Sequence, residues 1–271
     1  MLRQGLYRLA LPAVLMAVCP AGAQSQGSAA LSTALGVAVD RGEMLYIYDQ
    51  AAWHGADDIR AHFPSLLNEA VGYVVTGDES HAELVFFDGS KSRAVYRAAV
   101  ANGRILKSGP ASPDRVELTQ LERRMIDAKD KALAAFKEAN VGVCAEAIPN
   151  LAALPPDTPG GPIIVYLMTP QINPNTFPLG GHYSVEVHSD GSTGQVRRFT
   201  NSCVDMPRNQ RPEGEPAPFV ITHLLDPTPT EIHVFTSLAS NVPLVVLTHP
   251  RGRMWVVDGN SVRSVAMPSK K

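Results

Sequence analysis

The sequence predicts an α+β fold dominated by antiparallel β-sheet, with one long amphipathic helix at about 120–139 and a short N-terminal helix. Three observations support this class: short β-rich segments separated by turn residues, one segment with a 3.6-residue apolar period, and no alternation of strands with long helices. We expect a signal peptide at 1–23, a flexible leader at 24–40, a β-meander plus helix unit at 41–145, and a Pro-looped antiparallel β unit at 146–271, which packs as one domain with the preceding unit or apart from it.

The first 23 residues have the pattern of a cleaved secretory signal. Arg3 and Arg8 precede an apolar run at 9–18, and Ala21-Gly22-Ala23 supplies the small residues that a signal peptidase requires. The run is too short to cross a bilayer core of about 30 Å as a stable helix. We therefore expect a periplasmic or secreted protein, cleaved near Ala23, with no integral membrane segment after cleavage.

Charge and cysteine content restrict the partners and the covalent bonds that we expect for this protein. The formal net charge of −2 and the lack of a long basic run give no electrostatic basis for binding nucleic acid. Lipid attachment at Cys19, within the signal, is the less favoured alternative to cleavage, because Val18 is large for the residue that precedes a lipidated cysteine. Cys144 and Cys203 remain, a pair for which an oxidising compartment favours a disulfide over a catalytic thiol with a His partner.

The part of the chain that follows the leader is predicted to be a β-meander preceded by two short elements. Residues 44–48 have the composition of a short strand, and Asp57 and Asp58 are placed to cap a short helix that Pro64 ends. Asn102-Gly103 supplies the positive φ angles of a tight hairpin. The meander strands are expected at 71–76, 83–87, 93–101 and 104–107.

The helix at about 120–139 has the clearest signals in the chain. Thr119 and Glu122 have the spacing of a capping box, and Asn140 and Gly142 are suitable stop residues. Apolar residues recur at the helical period, which favours packing against the preceding sheet over a partner site. They are Leu121, Met125, Ala128, Ala132 and Phe136.

The second half differs because prolines cluster at 149–162, 170–178 and 207–218, where they predict loops. Asp190-Gly191 and Asp258-Gly259 are typical of antiparallel hairpins, and a parallel sheet is not expected. The predicted strands are 163–168, 182–188, 195–201, 219–225, 231–237, 244–248, 253–257 and 261–265.

The common nucleophile, nucleotide, zinc and thioredoxin motifs are absent, so no cofactor is predicted. The strand at 182–188 places His182, Glu186 and His188 on one face. Its two histidines lie about 20 Å apart along an extended strand, too far to share a metal ion. We interpret this face as the solvent-exposed face of an amphipathic strand, with His182 retained as a ligand-binding candidate.

The most distinctive segment runs from His223 to His233. In one hairpin register the two imidazoles face each other near Asp226 and Glu231, whereas a shift by one residue places them on opposite faces. We predict that His223, Asp226, Glu231 and His233 bind a ligand at a hairpin tip stiffened by prolines, and we expect at least one imidazole to be buried. In the alternative, the histidines are structural and Asp226 caps the turn through backbone hydrogen bonds.

A further candidate is the aromatic and acidic segment at 53–58. Trp53 and His54 are followed by Asp57 and Asp58, a group that either lines a small cleft or anchors a sheet edge.

Over most of its mature length the chain resembles a group of uncharacterised exported proteins of Gram-negative bacteria, on the basis of Gly180-Gly181-His182 and the segments 199–203 and 222–234. The resemblance implies the same signal, size and cysteine pair, and no activity. We expect an exported periplasmic or cell-envelope protein that is not an enzyme and binds an unknown envelope protein or a small ligand through loops of its second half. The alternative is a hydrolase or metal-dependent enzyme that uses His223 and His233.

Overall fold

The computed structural model describes residues 21–207, 218–249 and 253–266. The described residues form three helices, α1 (Ala21–His62), α2 (Gln120–Glu138) and α3 (Glu231–Ser240), together with a 3-10 turn at Pro64–Asn68. The expected α+β class, with mostly antiparallel sheets and an N-terminal helix, is confirmed. Most of the predicted signal sequence, with Cys19, and most of the last proline loop lie outside the described residues.

The strands form four sheets within the described ranges. The first is the predicted antiparallel meander of β1 (Ala70–Gly77), β2 (Ala82–Asp88), β3 (Ala94–Ala101) and β4 (Arg104–Pro110). The second is antiparallel, in the order β5 (Asn150–Leu154), β6 (Ile163–Met168), β8 (Tyr183–Val187) and β9 (Arg197–Arg198). The third consists of two antiparallel strands, β7 (Thr176–Pro178) and β10 (Asp205–Pro207). The fourth is β11 (Phe219–His223), β12 (Leu244–Thr248), β13 (Arg253–Asp258) and β14 (Ser261–Ala266).

The helix α1 replaces three predicted elements. The flexible leader at 24–40, the strand at 44–48 and the short helix after Asp57 are all parts of one helix of 42 residues. Its buried face follows helical spacing but consists largely of small residues, so it has little hydrophobic contrast with the exposed face. The buried residues are Ala38, Gly42, Leu45, Tyr48, Ala51, Gly55 and Ile59.

Two glycines on that face allow α1 to pack closely against its neighbours. A Cβ at Gly42 would lie 2.5 Å from the Cβ of Val234 in α3, and a Cβ at Gly55 would lie 2.2 Å from Cδ2 of Leu84 in β2. Such distances exclude any side chain at these positions without movement of the partner, so the glycines set how near α1 comes to the helix and to the sheet.

The helix α2 is confirmed with its predicted cap. The backbone N–H of Glu122 donates to Thr119 Oγ1 at 3.2 Å, and the backbone N–H of Thr119 donates to Glu122 Oε2 at 2.7 Å. The helix ends at Glu138, and Asn140 just beyond it has a φ of 49°. Four residues of the predicted stripe, Met125, Ala128, Ala132 and Phe136, are buried, and Leu121 is half-buried.

The strand predicted at 231–237 is wrong, because these residues form α3. Ile232, Val234 and Thr236 are β-branched and favour a strand locally, but burial on nearly all sides of α3 overrides that preference. Since α3 connects β11 to β12, these two strands pair in parallel, which corrects the expectation of antiparallel pairing throughout. The strand predicted at 195–201 shortens to the two residues of β9.

The core consists of two clusters of buried side chains. The larger draws on α1, the meander, α2, the second sheet and Ile232 of α3, so it includes residues on both sides of the predicted unit boundary near 145. The smaller joins α3 and the fourth sheet to the first part of α1, where Leu31, Leu35 and Val39 pack against it. None of the helices in the described ranges is both long and apolar enough to span a membrane.

Candidate functional site

The segment from His223 to His233 forms part of a buried polar cluster. His223 ends β11 and His233 lies in the first turn of α3, with ring centroids 4.7 Å apart and an interplanar angle of 82°. Neither predicted hairpin register occurs, because the second element is a helix. Both imidazoles are buried, at 3% and 2% exposure, in agreement with the expectation that at least one would be.

Asp226 and Glu231 belong to the same cluster, which Arg197 joins together. His223 Nε2 lies 2.9 Å from Asp226 Oδ2. Arg197 donates to Asp226 Oδ1 at 3.1 Å and lies 3.5 Å from Glu231 Oε1, and the Tyr166 hydroxyl donates to Glu231 Oε1 at 3.1 Å. The sequence analysis missed Arg197 and Tyr166, because they come from β9 and β6 and no local pattern marks them.

Burial and hydrogen bonding shift the pKa values of Asp226 and His233. Burial would raise the pKa of Asp226, but the hydrogen bond from His223 and the charge of Arg197 outweigh it and hold that pKa below its ordinary value. Burial, with the neighbouring His223, lowers the pKa of His233 to about 3. His233 Nδ1 accepts the backbone N–H of Thr230 at 3.0 Å, so the neutral ring caps the start of α3.

The cluster has part of what catalysis needs and lacks access. A histidine oriented by a carboxylate, as His223 is by Asp226, is the arrangement of a general base. Both rings are nearly inaccessible, however, and nowhere in the described ranges do three or more His, Cys, Asp or Glu residues form a group that could hold a metal ion. In the structure the cluster fastens the β11–α3 connection to the second sheet.

His182 lies in a different setting and is not on an exposed face. The backbone N–H of Thr169 donates to His182 Nδ1 at 3.2 Å, and His182 Nε2 donates to the carbonyl of Pro178 at 3.0 Å. These partners are the two ends of the segment 169–178, which we call the rim loop. One neutral imidazole therefore holds both ends of the rim loop, and the loop covers the end of β8 that we expected to be solvent-exposed.

The predicted disulfide between Cys144 and Cys203 is present, with a Cα–Cα distance of 5.5 Å. The backbone N–H of Cys144 donates to Thr169 Oγ1 at 3.1 Å, and that hydroxyl donates to the carbonyl of Gly180 at 2.8 Å. Thr169 thus links the disulfide to the first residue of the rim loop, which is one of the two ends that His182 holds.

Acidification is expected to weaken the fold through His182. Burial lowers the pKa of His182 from 6.5 to about 4, so between these pH values the unfolded chain binds a proton that the folded protein does not. The contribution of neutral His182 to the free energy of unfolding is complete above about pH 6.5 and decreases as the pH falls, by about 3 kcal/mol near pH 4.

Urea unfolding of wild type and His182→Gln at pH 7 and pH 4 measures this effect. Other titrating groups, including Asp49, are present in both proteins, so their contributions cancel in the comparison. Wild type should lose about 3 kcal/mol more than the variant over this interval. The matched control His188→Gln, at an exposed position, should follow wild type. Equal pH dependence in wild type and His182→Gln would contradict the prediction.

A cleft of about 670 Å³ lies between α1, the rim loop and α3, and we call it the rim cleft. Trp53, which the sequence analysis noted as a possible cleft residue, lines it from α1 and is 57% exposed. Ile172 and Phe177 line it from the rim loop, and Phe235 and Thr236 from α3. The wall therefore combines apolar and aromatic side chains with several polar ones.

The polar groups of the rim cleft include a carboxyl with a raised pKa. Asp49 projects from α1, and burial raises its pKa to about 6, against a weaker opposing effect of a hydrogen bond from Gln50. A smaller inner cavity shares Asp49 and Tyr73 with the rim cleft and extends to Lys129. Lys129 Nζ donates to the carbonyl of Tyr73 at 2.8 Å and lies 4.5 Å from the Tyr73 ring centroid, and burial lowers its pKa to about 8.

The sequence analysis did not predict Asp49, Thr236 or the rim loop as parts of one site. They lie far apart in the chain, and only the packing of α1 on α3 and the bracing of the rim loop bring them together. Comparisons with protein-family models, with curated proteins and with solved structures found no match, so the functional conclusion depends on the geometry of the cluster and the cleft.

Proposed function

We propose that this chain is an exported binding protein of the bacterial cell envelope, which binds a small organic ligand in the rim cleft. The observation that carries the proposal is the cleft itself. Its volume of about 670 Å³ is within the usual range for small-molecule sites, and its wall combines aromatic side chains with polar groups.

Export is supported by two features of the chain. Residues 1–23 have the order of basic, apolar and small residues that a secretory signal requires. The disulfide between Cys144 and Cys203 is of a kind that persists in oxidising compartments such as the periplasm. The resemblance to exported proteins of Gram-negative bacteria favours the same location.

The rim cleft is a better candidate than the His223–His233 cluster because it is a cleft with an exposed aromatic side chain in its wall, and its carboxyl has no salt-bridge partner in the described ranges. The imidazoles of the cluster are almost completely buried, and His233 is engaged as a helix cap. In the rim cleft, by contrast, an aromatic side chain is more than half exposed and a carboxyl has only a neighbouring amide to offset its burial.

The test is a thermal-shift screen of small organic compounds against wild type and a variant with a blocked cleft. Ala56 lines the rim cleft from α1, so Ala56→Trp should fill it, whereas Ala61→Trp places the same side chain at an exposed position of the same helix. Compounds that raise the melting temperature of wild type and Ala61→Trp should have no effect on Ala56→Trp.

Ala239→Trp, which blocks the cleft from α3, replaces Ala56→Trp if the latter does not fold. The proposal fails if no compound stabilises the wild-type protein, or if the stabilising compounds act equally on the blocked variant.

The second candidate function is hydrolysis with His223 as the base, favoured by the 2.9 Å contact between His223 and Asp226. It predicts turnover of activated esters such as p-nitrophenyl acetate that His223→Ala abolishes and Ala56→Trp leaves unchanged. Binding in the rim cleft predicts the opposite dependence on the two variants.

A further inference from the structure

We infer that the ligand of the rim cleft is an organic amine, whose ammonium group is bound by the carboxylate of Asp49 and whose hydrocarbon part lies against the aromatic wall that includes Trp53. This inference rests on the proposed function and specifies the chemistry of the ligand.

The charge of the rim cleft favours a cation. Asp49 and Arg60 are the charged side chains that line it. Arg60 is largely exposed and pairs with Asp57, 2.5 Å from Nη1 to Oδ1, so its charge is already balanced outside the cleft. In the described part of the chain Asp49 takes part in no salt bridge and has only the Gln50 amide as a side-chain hydrogen-bond partner. A buried carboxylate without a counter-ion is costly, and a bound ammonium group offsets that cost.

A second polar group of the rim cleft lacks a partner. The side chain of Thr236 is 98% buried, lines the rim cleft from α3, and its hydroxyl makes no hydrogen bond to any group in the described ranges. Buried hydroxyls are nearly always hydrogen-bonded, so this one is an unused acceptor beside the cleft, which a ligand reaches only when the Thr236 side chain turns toward it, because the oxygen itself is shielded. A hydroxyl oxygen accepts an N–H, which an ammonium or amine supplies in excess.

The aromatic wall suits the hydrocarbon part of such a ligand. Trp53 is more than half exposed although a Trp side chain is usually well buried, and Phe235 and Tyr73 line the same cleft. Aromatic faces attract organic cations in addition to burying apolar surface. Lys129, in the inner cavity, does not make the site favour anions, because its ammonium group already contacts the carbonyl and the ring of Tyr73.

Isothermal titration calorimetry tests the inference with phenethylamine as the probe and 2-phenylethanol as its neutral analogue. Wild type should bind the amine at least ten times more tightly than the alcohol. Asp49→Asn should weaken amine binding at least tenfold and leave the alcohol unaffected. Asp40→Asn, which removes a carboxylate from an exposed position of α1, should bind the amine as wild type does.

The pH dependence provides an independent readout. The titratable side chains that line the rim cleft or its inner cavity with Asp49 are Tyr48 and Arg60 of α1, Tyr73 of β1 and Lys129 of α2. Asp49, with a pKa of about 6, changes from mostly ionised to mostly neutral between pH 7.5 and pH 5, whereas Lys129, with a pKa of about 8, stays mostly protonated. Amine affinity should fall about tenfold over that interval in wild type and stay constant in Asp49→Asn.

Two groups of outcomes separate the inference from the proposed function. If the alcohol binds as tightly as the amine, if Asp49→Asn binds the amine normally, or if only other compounds from the thermal-shift screen bind, the amine assignment is wrong while the cleft remains a binding site. If Ala56→Trp binds the amine as tightly as wild type, the amine binds elsewhere and the inference is rejected. If Ala56→Trp also responds to every compound of the screen, the proposed function fails as well.

Discussion

Replacing Arg97 with Met is expected to lower the free energy of unfolding by about 3–5 kcal/mol. Arg97 and Glu122 form a two-pronged ion pair beneath the start of α2, with distances of 2.7 Å and 3.1 Å and side-chain exposures of 8% and 2%. Burial would raise the pKa of Glu122, yet Arg97 and the backbone N–H of Thr119 keep it below its ordinary value. Loss of Arg97 leaves a carboxylate that is buried and no longer paired.

Chemical denaturation of two further variants tests this explanation. Arg97→Met combined with Glu122→Gln removes the stranded charge while an amide oxygen remains to accept the Thr119 N–H, so the double variant should be more stable than Arg97→Met alone. Arg115→Met breaks an exposed pair with Glu83 and should cost less than about 1 kcal/mol. If Arg97→Met were no more harmful than Arg115→Met, the buried charge would not be the cause.

Phe136→Ala is expected to destabilise the protein by a similar amount, about 3–5 kcal/mol. Phe136 lies at the end of the apolar stripe of α2 and is 2% exposed in the larger core cluster, so truncation leaves a cavity between the helix and the sheets. Urea unfolding measures the loss, with Lys137→Ala, at the adjacent exposed position, as the control that should change stability by less than about 0.5 kcal/mol. A loss below about 1 kcal/mol for Phe136→Ala would show that the stripe is not packed.

Local signals were sufficient to predict the meander and α2, whereas the disulfide was predicted from other information. The capping box at Thr119 and Glu122 and the turn at Asn102-Gly103 each specify a backbone geometry through residues adjacent in sequence. The pairing of Cys144 with Cys203 followed from compartment and number alone.

The misread elements are those for which tertiary packing outweighs local preference. In α1 the buried face uses Ala38, Gly42 and Gly55, small residues that bury well only because a neighbour comes close. In α3 the β-branched residues favour a strand locally, but the segment is buried on nearly all sides as a helix, and that packing outweighs the local preference. Because α3 is a helix and not an intervening strand, β12 pairs directly and in parallel with β11.

The candidate sites show the same division. His223 and His233 lie together as in one of the two predicted registers, but through a strand and a helix and not across a hairpin, and Trp53 lines a cleft, one of the two roles considered for it. No local pattern indicates that Asp49 and Thr236 line one cleft, since their positions depend on where α1 crosses α3 and on the rim loop held by His182.

The course of α1 constrains the order in which the protein folds. Leu31, Leu35 and Val39, near the beginning of the chain, pack against a cluster whose other members lie between Phe177 and Val262. During synthesis from the N-terminus those partners emerge well after α1, so this part of α1 has no native surface to cover it until the chain has been made as far as the fourth sheet. Until then Leu31, Leu35 and Val39 have no apolar partners to pack against, so the smaller core cluster is completed only once the fourth sheet has formed.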